Sequence, residues 1–249
     1  MLRLFLLLSA LLAGPALGAA SPAVETSTLS ARVVSASDGV GEGSATLAAG
    51  LHLTLAAGWK TYWRSPGEVG LPPDLSWDGS VNVADVALDY PAPTRFTAFE
   101  IENFGYADEV VFPLTVTLAE PGAAARLDLR ADLLVCAEIC VPETVEIVLD
   151  LPAGGGVDAA GAALLSDWVA RVPVPGAEAG LRIERAHLGS EALTLAIRAD
   201  RPMAIPDIFP EQGPYAAFGK PDLRLGEGGH LLWARLPVLS PGEAPLDVT

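Results

Sequence analysis

Cysteine is nearly absent: only Cys136 and Cys140 occur in 249 residues. That is too few for the disulfide frameworks that hold small secreted domains together. Histidine is also scarce. No zinc-type His/Cys cluster, phosphate-cradling Gly-rich loop or nucleophile elbow is found. Basic residues are outnumbered, with 15 Lys and Arg against 31 Asp and Glu and a net charge of −16. A chain this acidic lacks the basic surface that phosphate binding needs, so nucleic acid is not an expected partner. The acidity reads as solvated surface and names no function. After residue 13 no long uninterrupted apolar run occurs, and no membrane-spanning helix is expected in the mature chain.

The first residues do carry an apolar run. Met1-Leu2-Arg3 is followed by Leu4 to Ala13, interrupted only by Ser9, then by Gly14-Pro15 and the small residues of Ala16-Leu17-Gly18. This is the pattern of a secretory signal peptide over residues 1–18, too short for a ~20-residue span. With no lipid-attachment cysteine nearby, the expected outcome is release into the periplasm without membrane insertion. The remaining chain is about half apolar, enough for one large or two small cores without help from disulfides.

From Val24 to residue 153 the pattern is alternation and short β-rich runs separated by Gly, Pro and Asp. Ala31–Val34, Leu51–Leu55, Val110–Leu118, Leu127–Val135 and Val145–Leu151 are the clearest strands, and such spacing indicates a sandwich or barrel. In Leu51-His52-Leu53-Thr54-Leu55 the leucines should face the core, leaving His52 and Thr54 outward as surface residues. Trp59, Trp63 and Trp77 read as packing residues. Residues 154–175 form a Gly-rich linker and short helix: Ala162, Leu165, Trp168 and Val169 recur at helical spacing, and Pro173 and Pro175 end it. A second β region spans 176–249, with strands at Leu181–Glu184, Leu193–Ile197, Leu223–Leu225 and Leu231–Leu236. Its last stretch, 245–249, looks like an opening strand, so this domain is either truncated or closed by a short strand. The fold class expected is all-β.

Cys136 and Cys140 flank Ala137-Glu138-Ile139, where a strand should be ending. In an extended chain their Cα atoms would lie roughly 13 Å apart, whereas a disulfide wants about 4.4–6.8 Å. An oxidised pair therefore needs a turn or kink between them. By loop entropy such a bridge stabilises the fold by only about 2 kcal/mol, against about 4.7 for a 100-residue loop. It is a poor staple, and a tight loop favours exchange over permanence. Glu138 between the sulfurs disfavours thiolate, and no Lys or Arg within the motif favours it. Spacing alone leaves three readings open: an inert bridge, an exchanging dithiol, or a thiolate metal site.

Several words in order narrow this. They are Gly58-Trp59-Lys60-Thr61-Tyr62-Trp63-Arg64-Ser65-Pro66-Gly67, Gly70-Leu71-Pro72-Pro73, Tyr90-Pro91-Ala92-Pro93, Phe104-Gly105-Tyr106, and Val135 through Cys136 and Cys140 to Glu143. Together they resemble the N-terminal periplasmic domain of the DsbD thiol:disulfide interchange proteins, in the branch that includes the copper-tolerance protein ScsB. The likeness covers about residues 25–152, and the part after Pro175 resembles the second β domain of that branch. It implies an immunoglobulin-like sandwich whose pair, Cys136 and Cys140, relays reducing equivalents between thioredoxin-like proteins or a DsbD-type membrane electron transporter and periplasmic acceptors. No cofactor is implied. In that family an aromatic loop caps the disulfide. Phe96 to Tyr106 is the matching stretch, with Phe99 and Phe104 as cap candidates, and Tyr62 falls where a tyrosine stands near the sulfurs. The polytopic membrane domain and the thioredoxin-like domain have no counterpart here, so donor and acceptor are expected to be separate proteins. An interaction module with a structural disulfide and a copper-tolerance accessory protein are the alternative functions.

Overall fold

The computed structural model describes residues 19–67, 69–98, 101–211 and 216–241. The expected signal peptide and the stretch 245–249 lie outside the described residues. In chain order the first part comprises β1 (Val24–Glu25), β2 (Leu29–Ser35), β3 (Thr46–Leu55), β4 (Lys60–Gly67), β5 (Asp74–Ser76), β6 (Val83–Leu88), β7 (Thr94–Ala98), β8 (Ile101–Ala107), β9 (Glu109–Leu118), β10 (Ala125–Cys136) and β11 (Cys140–Leu151). Two sheets result, one ordered β1-β2-β3-β9-β6 and the other β11-β10-β4-β8-β7, with β5 pairing β10.

Alternation dictates how these sheets pack. Leu51, Leu53 and Leu55 of β3 are buried, as are Leu127, Leu129, Ala131, Leu133 and Val135 of β10, and all belong to one core cluster between the sheets. Side chains that alternate along a strand point to opposite faces, so every second residue faces away from that core. His52 does so, yet it is only 6% exposed. Its Nδ1 accepts from the Arg32 guanidinium at 3.1 Å and its Nε2 donates to Glu109 Oε1 at 2.7 Å. The expected surface residue is thus the middle of a latch across β2, β3 and β9.

The helix α1 (Ala159–Val169) starts at Asp158, whose carboxylate accepts from the Gly161 N–H at 2.6 Å, an N-cap that satisfies an orphan donor. It is more than a linker. Leu165 and Trp168 are buried on the outer face of the first sheet. A Cβ at Gly50 of β3 would lie 2.6 Å from Leu165 Cδ2, and one at Gly161 would collide with the Ser35 carbonyl. Glycine at both positions lets the helix approach the strands.

Beyond the helix, β12 (Leu181–Leu188), β13 (Ala192–Ala199), β14 (Ala216–Phe218), β15 (Asp222–Gly226) and β16 (Leu231–Pro241) form a third sheet, ordered β12-β13-β16-β14 with β15 on β16. Among the described residues its core cluster is built from the buried Leu193, Leu195, Phe218, Ala234 and Leu236, with Ile197, Ile208, Leu223 and Val238 packed against them. The protein is mostly β, a two-sheet sandwich followed by a helix and a second β region.

Candidate active site

Strands β10 and β11 form a long hairpin in unbroken register from Ala125↔Leu151 to Cys136↔Cys140. Across its tip the Ala137 N–H donates to the Ile139 carbonyl at 2.9 Å. This is the turn an oxidised pair requires. Cys136 and Cys140, directly opposite each other, are joined by a disulfide with S–S 2.06 Å and Cα–Cα 4.1 Å.

The two sulfurs stand in different surroundings. Along β10 the odd residues face the core, so Cys136 belongs to the outer face, whose earlier members on this strand are half-buried or exposed. Cys136 is nonetheless only 2% exposed, because it sits between two paired strands, with Cys140 on one side and Lys60 of β4 on the other. Cys140 lies on β11, an edge of the sheet order, and is half-buried. At the tip, Glu138 is exposed and Ile139 is 64% exposed.

Register decides which other side chains share the cysteine face. Opposed residues point the same way, so Lys60, standing opposite Cys136, puts an ammonium on that face. Its Nζ donates to the Gly58 carbonyl at 3.1 Å and lies 5.7 Å from the centre of the Phe96 ring. Tyr62, two residues along β4, shares the face. It is fully buried, with its ring 5.8 Å from that of Phe96 and Gly70 packed against its edge. Burial raises the Tyr62 pKa. Its hydroxyl meets no hydrogen-bonding partner among the described residues.

Phe104 takes the other direction. It is opposite Arg95, one residue out of phase with the Tyr62↔Gly105 and Phe96↔Asn103 pairs, and is 2% exposed within the sandwich core. The structure therefore does not bring Phe104 to the disulfide. The aromatic that the same segment puts on the cysteine face is Phe96. Phe99 lies outside the described residues. Tyr106 also faces the core, and its hydroxyl donates to the Pro91 carbonyl at 2.7 Å, which ties two of the recurring sequence words together. Lys60 and Phe96 carry no local signal that singles them out, since only cross-strand register assembles them with Cys136. Among the described residues no three His, Cys, Asp or Glu side chains gather as a metal site, and no helix is long and apolar enough to cross a membrane.

Residues 34–152 match the family described as thiol:disulfide interchange protein DsbD, N-terminal. This part of the chain is similar to the DsbD N-terminal domain. Residues 171–249 match a domain of unknown function, DUF8393. The N-terminal periplasmic domain of ScsB from Proteus mirabilis is similar over nearly the whole chain, with 25% identity and a TM-score of 0.75, covering 93% of this chain and 90% of that one. No curated protein matches the chain. The sandwich is thus of the immunoglobulin-like DsbD type, and a cysteine pair at disulfide distance in such a domain is the arrangement of a thiol–disulfide relay.

Proposed function

We propose that the chain is an exported, periplasmic relay stage that exchanges its Cys136–Cys140 disulfide with thioredoxin-like proteins and with a membrane electron transporter of the DsbD type. The observation that carries the reading is the asymmetry of the pair inside a domain similar to the DsbD N-terminal domain: Cys140 half-buried on an edge strand, Cys136 covered between two strands. Thiol–disulfide exchange needs one sulfur that a partner can reach and one that leaves and later resolves.

The partner's thiolate attacks Sγ of Cys140. A partner–Cys140 bond forms, the Cys136–Cys140 bond breaks, and Cys136 departs with the electron pair as a thiolate. The partner's second thiol then attacks its own sulfur in the mixed disulfide and releases Cys140. Two electrons pass to this chain, its disulfide becomes a dithiol, and the partner's dithiol becomes a disulfide. Delivery to an acceptor is the same sequence in reverse. Lys60 favours the departing Cys136 thiolate electrostatically, while Phe96, backed by the buried Tyr62 ring, is the aromatic that a partner meets on the cysteine face. The signal-peptide pattern at 1–18 and the likeness to a periplasmic domain support export.

The test is capture. In Cys136→Ser the remaining Cys140 should hold thioredoxin-like partners as stable mixed disulfides in periplasmic extracts, identified by mass spectrometry. Cys140→Ser should hold far fewer. Capture by neither variant would make the bridge a structural one.

A further inference from the structure

One segment of the second β region leaves its own sheet and lies on the sandwich. Phe209 packs edge-on against Phe104 and Trp63, with ring centres 5.3 and 6.3 Å apart. Beside it Arg95 of β7 donates to Asp207 through Nε and Nη2, at 3.3 and 3.0 Å, and to the Ile208 carbonyl at 2.9 Å. The same guanidinium pairs with Glu102 and lies 4.9 and 5.4 Å from the Phe104 and Phe209 ring centres. On β4, Arg64 pairs with Glu211, and Ser65 donates to the Pro210 carbonyl at 3.3 Å. Residues 207–211 thus form a strap across β7 and β4, and Arg95 is its main anchor, with side-chain exposure of only 13%.

The position of that anchor matters because of what stands next to it. β7 ends its sheet, paired on one side only, with β8. Its neighbouring residues face opposite ways: Arg95 points to the core side, where the strap lies, and Phe96 points to the cysteine side, where it meets Tyr62 and Lys60. An edge strand with few backbone partners is held in place by its side chains. Whatever fixes Arg95 therefore fixes Phe96.

We infer that the second β region is a positioning element for the redox site: its strap, through Asp207 and Phe209 on Arg95 and Phe104, holds the β7–β8 hairpin so that Phe96 stays over the approach to the disulfide. This rests on the reading of Cys136–Cys140 as an exchanging pair. Asp207, Arg95 and Phe209 touch neither sulfur and act only through the hairpin. Releasing the strap raises the fraction of molecules in which the hairpin is displaced, and the apparent reaction rate follows that fraction.

The experiment uses the full oxidised chain and dithiothreitol, and follows the rate of disulfide reduction by thiol alkylation well below the unfolding temperature. Asp207→Asn and Phe209→Leu, chosen to keep the fold, should each be reduced faster than the parent, by roughly fivefold. In a Phe96→Ala background, where the shield is already gone, the same changes should add almost nothing. Unchanged rates in the parent background would overturn the inference. So would acceleration that persists without Phe96, since that is general loosening. Dithiothreitol needs no protein partner, so the strap effect is read whether or not thioredoxin-like proteins exchange with the pair. Capture of partners with no strap effect would remove the coupling and leave the relay standing.

Discussion

Lys60 is one of only two lysines in the chain, and it stands opposite Cys136 in the register of β4 with β10. A cation beside a thiolate lowers the thiol pKa and makes it a better leaving group. Lys60→Met should therefore slow reduction of the oxidised protein at neutral pH by roughly threefold, the effect of about one unit on a leaving thiol. Lys60→Arg should restore the rate. Thiolate absorbance titrated in the reduced protein checks the cause: in Lys60→Met the Cys136 thiol should ionise at higher pH, and an unmoved titration would exclude Lys60 from this role. None of this can be read from the cysteine motif, where Glu138 is the only charge. The cysteines themselves were legible from their sequence context. The lysine 76 residues away was legible only as part of a family word, because β4–β10 pairing is non-local.

At the scale of strands, much of the fold could be read in advance because period-two alternation is a local property. The runs at Leu51–Leu55, Leu127–Val135 and Leu231–Leu236 all lie within strands, and the helix, Ala159–Val169, falls inside the expected stretch 154–175. What failed was phase across strands. Phe104 and Phe96 are equally aromatic, and only the register of β8 with β4 and β7 decides which faces the disulfide. His52 shows the same limit: its outward direction was legible, its burial was not. The latch it forms predicts a pH dependence. Burial first, and then Arg32, lower the His52 pKa, outweighing Glu109. The folded state therefore binds fewer protons than the unfolded state between the folded pKa and the unfolded value of about 6.5. Stability from this group is complete above about pH 6.5 and declines as pH falls through that window. In urea titrations from pH 8 to 5, His52→Gln should show a flatter midpoint profile than the parent, and parallel profiles would mean His52 does not titrate on unfolding.

For the whole molecule the question is what makes one unit of two β regions. Residues 200–211 have no periodicity, so nothing in the sequence marks them as a strap, and the second region reads as an independent domain. Its core argues otherwise. Among the described residues its core cluster, Leu193, Leu195, Phe218, Ala234 and Leu236, is far smaller than that of the sandwich, so contacts to the sandwich weigh more in its stability. Ile208 and Phe209, adjacent in the chain, pack against the second and first cores respectively. The disulfide, by contrast, closes only the short loop at the tip of a hairpin already paired over its full length and contributes only about 2 kcal/mol. Burying much of a phenylalanine is worth about the same. Phe209→Ala should therefore destabilise the protein as much as reducing Cys136–Cys140 does, although it breaks no covalent bond. The two losses should differ in kind. Reduction should lower the midpoint of a single calorimetric transition, whereas Phe209→Ala should split it, with the signal of Trp233, on β16, lost ahead of the sandwich. A single unshifted transition in Phe209→Ala would show that the second region stands without its strap.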